Sequence, residues 1–187
     1  MEIKTISDII FFNYHRIEVK MRPLFAKFRR KRLENTDFTI ISNNCWGGIC
    51  YEYYGLQKLS PTVGMYFYAD DYVKFISNLP YYMSIEMKMI TPDKSKHRKS
   101  LEGKGEINVP IGVLDDVEIV FLHYRNPSIA KEKWDKRVKR INWNNIIYKF
   151  SYMNAQTRIL KIFFKLQKER REFVLLAKKS GKTTVCM

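Results

Sequence analysis

Cysteine is scarce in this chain of 187 residues, which holds three: Cys45, Cys50 and Cys186. An odd, widely spaced set excludes a disulfide framework and points to a reducing cytoplasm. Cys45 and Cys50 are too far apart for a CxxC half-site, and no histidine pair accompanies them, so no metal is predicted. Spaced Asp-x-Asp pairs are missing too, because Asp70–Asp71 and Asp115–Asp116 are adjacent. Adjacent acids suit helix starts and turns better than the metal sites of sugar-nucleotide transferases. Long apolar runs are absent: no window approaches the roughly 18 apolar residues of a membrane span. The opening segment holds only the short run Ile9–Phe12, too little for a signal-peptide core. Acidic residues are also few, 19 against 34 Lys and Arg, for a net charge of +15.

Hydrophobic residues make up 45% of the chain and aromatic residues 14%, enough apolar surface for a core, which excludes general disorder. The length suits one domain, or a domain with an arm. The charge forecasts an anionic partner, and its distribution narrows the choice. Residues 36–92 carry 3 basic and 5 acidic side chains, and residues 107–126 carry 1 and 3. The excess sits instead in residues 1–35, with 9 basic against 4 acidic, and in 127–187. Zinc-finger, RNP and GxxG patterns are all missing, so a nucleic-acid partner is not expected. Ser180–Thr183 invites a P-loop reading, but Leu176 stands where that motif needs its first glycine.

Three segments follow from the pattern. Residues 1–35 are a basic amphipathic arm: Ile3, Ile6, Ile10 and Phe11 have helical spacing, and Phe25, Phe28 and Leu33 stand among Lys27 and Arg29–Arg32. Such a segment either packs its stripe on its own domain or lies on an anionic membrane face. Residues 36–177 are the folded domain and 178–187 a basic, frayed tail. Within the domain, Asp37–Ser42 is a strand that ends in the polar turn Asn43–Gly48 and a helix over 49–58. Strands are expected over 62–68, 83–90, 107–112, 117–123, 146–150 and 173–177. Helices are expected over 70–79, from Asn126 with its buried stripe Ala130, Trp134, Val138 and Ile141, and over 156–168. Residues 91–106 have the composition of an exposed loop. Alternating strands and helices give an α/β fold, a three-layer sandwich with a mostly parallel or mixed sheet.

In an open α/β sheet, ligands gather at the carboxyl ends of the strands. On parallel strands that rule collects Asn43, Asn44, Cys45, Trp46, Gly47 and Gly48, then Tyr68, Asp70 and Asp71, then His123, Tyr124 and Arg125, then Ser151 and Tyr152. Paired glycines let backbone N–H groups approach a ligand, a helix N-terminus attracts anions, and Trp46 offers a stacking surface. The same glycines equally suit a tight turn that needs no ligand. Cys45 and His123 are a candidate thiolate–imidazole pair, with Asp71 as candidate orienter or second acid/base. A buried, inert cysteine is the plainer alternative.

The block Phe38–Glu52, then Leu59–Thr62, resembles the bacterial family DUF1919, whose members are often labelled exopolysaccharide or capsule biosynthesis proteins. Tyr68–Phe75, Phe121–Tyr124, Lys133–Arg137 and Arg140–Trp143 look like later blocks of the same family. The resemblance covers residues 36–176. It implies an α/β fold and a place in surface-polysaccharide assembly, and it brings no established catalytic residues. The expectation is a cytoplasmic transferase, glycosyl or acyl, that takes a phosphate-bearing donor, needs no bound cofactor and works at the inner membrane face. The other expectation is a non-catalytic scaffold or anionic-membrane-binding protein of the same assembly, and after it a nucleic-acid-binding module.

Overall fold

The computed structural model describes residue 21, residues 23–151, residue 166 and, as backbone, the strands over 173–179 and 182–186. The backbone forms two compact units, Met1–Thr36 with Ile49–Gln57, and Asp37–Gly48 with Lys58–Met187. The expected helix over 156–168 lies outside the described residues apart from 166, which is helical. So does the Ile3–Phe11 stripe.

In the first unit, α1 runs over 23–30, and residue 21 is helical as well. Ala26 is its buried residue. Helix α2 (Trp46–Tyr54) starts in the second unit and ends in the first.

The second unit is α/β, as the alternating pattern requires, but its strands form two sheets. The first has the order β1-β5-β6-β7. Strand β1 (Thr39–Ser42) runs parallel to β5 (Ile146–Ser151), and β5 runs parallel to β6 (Phe173–Lys179). The expected frayed tail instead supplies β7 (Lys182–Cys186), antiparallel to β6, so this sheet is mixed. Its backbone groups find ladder partners that a free tail would leave to water.

The second sheet is antiparallel, β2 (Lys88–Ile90), β3 (Ile111–Leu114) and β4 (Val117–Val120). Asp115, at φ 54°, turns β3 into β4. A two-residue loop with positive φ matches strand twist, and Asp tolerates it better than most residues. This hairpin removes 117–123 from any parallel sheet. The expected strand over 62–68 is reduced to one bridge, Tyr66 to Val120, because Pro61 and Gly64 (φ 80°) bend the chain there. The expected strand over 83–90 begins as helix: α4 spans Leu79–Ser84, with Pro80 in its first turn. Residues 91–106 are not a loose loop. They form a 3-10 turn, Pro92–Lys94, and α5 (Arg98–Gly103), anchored by fully buried Leu101.

Helices α3 (Ala69–Ser77) and α6 (Pro127–Val138) supply the core's large side chains, Tyr72, Phe75 and Trp134, alongside Ile41, Phe121 and Phe150. Asn126 caps α6, its carboxamide oxygen accepting from the Ser128 and Ile129 N–H groups. The Tyr72 hydroxyl lies 2.7 Å from the Ile41 carbonyl oxygen and 2.9 Å from that of Lys149. It therefore ties α3 to both β1 and β5 just before their carboxyl ends.

Candidate active site at the Cys45 turn

Strands β1 and β5 end side by side, and Asn43 locks the two ends together. Its carboxamide donates to the Ser151 carbonyl and accepts from the Ser151 N–H, both at 2.9 Å. The next residue, Asn44, accepts the Trp46 N–H at 3.1 Å and so starts α2. Ser42 closes the turn, with its hydroxyl 2.5 Å from the Asn44 carbonyl oxygen. Cys45 is therefore held on a rigid turn immediately ahead of a helix N-terminus.

His123 reaches this turn from the segment after β4. Its imidazole Nε2 stands 3.3 Å from Cys45 Sγ, and its backbone N–H donates to the Gly64 carbonyl at 3.3 Å. Cys45 is half-buried and His123 exposed, so the pair is open to a substrate. The thiol also lies within donating distance of the Met65 carbonyl, at 3.8 Å. Burial pushes the Cys45 thiol up from its ordinary 9.0; hydrogen bonding to its own backbone and the charge on Lys149 pull it partly back. The resting sulfur is thus a thiol and not a preformed thiolate.

Lys149 was not foreseen from the sequence. It is 1% exposed in mid-β5. Its ammonium donates to Asn44 Oδ1 at 2.8 Å and to the Ser151 hydroxyl, and it lies 5.6 Å from the Trp46 ring centre. The signal was a single lysine inside the apolar strand IIYKFS, where burial of a charge is costly without a purpose.

The remaining expected site residues have other surroundings. An added Cβ at Gly47 would stand 3.1 Å from Ile40 Cγ2, and one at Gly48 3.0 Å from Val63 Cγ1. These glycines let the start of α2 pack closely against β1 and the Val63 turn. Asp71 does not orient His123. Its carboxylate is 1% exposed, with one oxygen 2.5 Å from Lys96 Nζ and the other 2.5 Å from His97 Nε2. Tyr68 stacks on His97, ring centres 3.9 Å apart, and its buried hydroxyl has no partner among the described residues. The hydroxyl of Tyr124 accepts from Arg137 at 2.7 Å and donates to the Val63 carbonyl at 3.3 Å, a packing role. Arg125 lines a separate groove of about 260 Å³ with Thr91, Ile107, Val109 and Pro127.

The structure thus gathers Asn43, Asn44, Cys45, Trp46, His123 and Ser151, adds Lys149 and Ser42, and leaves Asp71, Tyr68, Tyr124 and Arg125 elsewhere. A thiol, an adjacent base, a fixed cation and a helix N-terminus are the components of nucleophilic thiol chemistry.

The family model described as Domain of unknown function (DUF1919) matches residues 16–179, and the chain belongs to that family. It is 28% identical over 130 residues to a Haemophilus influenzae protein named only as an uncharacterized protein. That match covers 70% of this chain and 57% of the relative, so the chain spans little more than half of the relative's length.

Proposed function

We propose that this DUF1919 chain is a transferase of bacterial surface-polysaccharide assembly that carries an acyl group on Cys45. The observation that supports it is the 3.3 Å contact between Cys45 Sγ and His123 Nε2 at an exposed turn. The polysaccharide setting rests on the resemblance of Phe38–Glu52 and the later blocks to proteins labelled for that process.

The reaction is group transfer in two steps. His123 Nε2 takes the thiol proton as Sγ attacks the carbonyl carbon of an acyl thioester or ester. The tetrahedral oxyanion collapses, the donor's leaving group departs with the proton from His123, and the acyl group stays on Sγ as a thioester. A sugar hydroxyl then attacks that thioester, gives its proton to His123, and Sγ leaves and is reprotonated. Lys149 and the N-terminus of α2 supply positive potential for the developing negative charge and for a phosphate-bearing donor. The setting is the inner membrane face of the cytoplasm, where such donors and lipid-linked glycans meet.

The test is acyl transfer from a panel of acyl-coenzyme A donors to glycan acceptors with a free hydroxyl. Replacement His123→Ala is expected to slow transfer roughly a hundredfold or more, the usual worth of a general base. Full activity in that variant would remove His123 from the mechanism. No transfer or thermal stabilisation with any donor would favour the non-catalytic scaffold.

A further inference from the structure

Helix α1 is packed the opposite way round from an ordinary amphipathic helix. Its buried side is small and basic. Buried Ala26 meets Gly55, where an added Cβ would stand 2.9 Å from the Ala26 Cβ. Arg29 donates to the Tyr53 carbonyl at 3.1 Å and lies 4.1 Å over the Tyr53 ring centre; Arg30 donates to the Gly55 carbonyl at 3.3 Å.

The apolar side faces water. Met21, Leu24, Phe25 and Phe28 fall on one stripe by their i, i+3, i+4, i+7 spacing, and they are 40, 65, 49 and 66% exposed. A stripe of this kind ordinarily covers a core. Here it stands beside exposed Lys27, Lys31 and Arg32, within a run of five basic side chains in the six positions 27–32.

We propose that α1 docks the protein on an anionic lipid bilayer. Met21, Leu24, Phe25 and Phe28 enter the boundary between headgroups and acyl chains, and Lys27, Lys31 and Arg32 lie at the lipid phosphates. Charge complementarity selects this occupant. A second copy of the chain would bring the same cationic run against itself, which electrostatics opposes. Apolar anchors flanked by basic side chains match a negatively charged surface in both of its properties. The inference names the residues that would hold the proposed transferase at the membrane, and it rests on the exposure of α1 and not on the chemistry of Cys45.

The experiment is co-sedimentation of the full chain with vesicles of equal parts phosphatidylglycerol and phosphatidylcholine, against pure phosphatidylcholine. The protein is expected to pellet with the anionic vesicles and to stay in solution with the neutral ones. The double change Leu24→Ser, Phe28→Ser is expected to lower partitioning by at least about tenfold, since two large apolar anchors are lost. The double change Lys27→Glu, Lys31→Glu is expected to lower it by at least about twentyfold, each basic side chain being worth roughly fivefold. Both pairs are exposed, so circular dichroism and thermal unfolding should match the unaltered protein. Cys45→Ser is expected to bind as the unaltered protein does, which separates this test from that of the transferase. Failure of the unaltered protein to pellet, or binding by either double variant at full strength, overturns the proposal. So does a dimer that Leu24→Ser, Phe28→Ser converts to monomer, because the stripe would then be a protein interface.

Discussion

Cys45 is poised as a protonated thiol with a base at hand. Because burial raises its pKa above 9.0, the native protein holds this proton more tightly than the unfolded chain does. That contribution to stability is present below pH 9.0 and is lost as pH rises past the native value. Alkylation of Cys45 by iodoacetamide is therefore expected to climb through pH 9.0 and beyond; a plateau reached well below it would contradict the account. Lys149 is among the influences that pull the thiol down, so Lys149→Met should shift the alkylation profile to still higher pH. An unchanged profile would show that the buried ammonium does not act on Sγ. The pair itself was within reach of sequence reasoning, since Cys45 and His123 each follow a recognisable strand. Asp71 was misplaced for a reason a pattern does not reveal: its partners, Lys96 and His97, come from a segment with the composition of a free loop.

Individual elements differ in how far local pattern determines them. Strand β1, helix α6 and the β3–β4 hairpin carry their own signals: a β-branched run, a buried stripe with an Asn cap, and an Asp-Asp turn. Segment 91–106 carries almost none. Glu118 accepts from the Ser95 hydroxyl and, at 3.0 Å, from the Lys96 N–H, so its order depends on a strand more than twenty residues later in the chain. Gly64 shows how an element boundary serves the site. It sits at φ 80°, an added Cβ would stand 3.1 Å from Tyr124 Cε2, and its carbonyl accepts the His123 N–H. Gly64→Ala combines backbone strain with overpacking and should cost about 1–3 kcal/mol in urea unfolding. It should also weaken transfer, because strain at residue 64 shifts the carbonyl that holds the His123 N–H. Stability within a few tenths of a kcal/mol of the original would show that the turn adapts freely.

For the whole molecule, the α/β class followed from alternation, whereas the division into a mixed and an antiparallel sheet did not. Strand direction depends on connections such as Pro61–Gly64 and the Asp115 turn, whose geometry a hydrophobic pattern does not encode. The core of the second unit follows expectation more closely. Trp134, the largest of its fully buried side chains, packs with its ring centre 6.3 Å from that of Phe75. Trp134→Ala should destabilise by about 3–5 kcal/mol. A smaller loss in denaturant unfolding would mean that α3 and α6 collapse into the space. The +15 net charge divides into distinct roles at this scale. One lysine is buried in mid-β5, and a cationic run flanks an exposed apolar stripe on α1. The central claim concerns the first of these places and the thiol beside it. It is tested most directly by acid-quenched intact-mass analysis of the protein after brief exposure to acyl-coenzyme A donors. The account predicts a gain of one acyl group, mapped to Cys45, absent in Cys45→Ala and discharged by a hydroxyl acceptor. Transfer to an acceptor without any Cys45 adduct, and undiminished in Cys45→Ala, would contradict it.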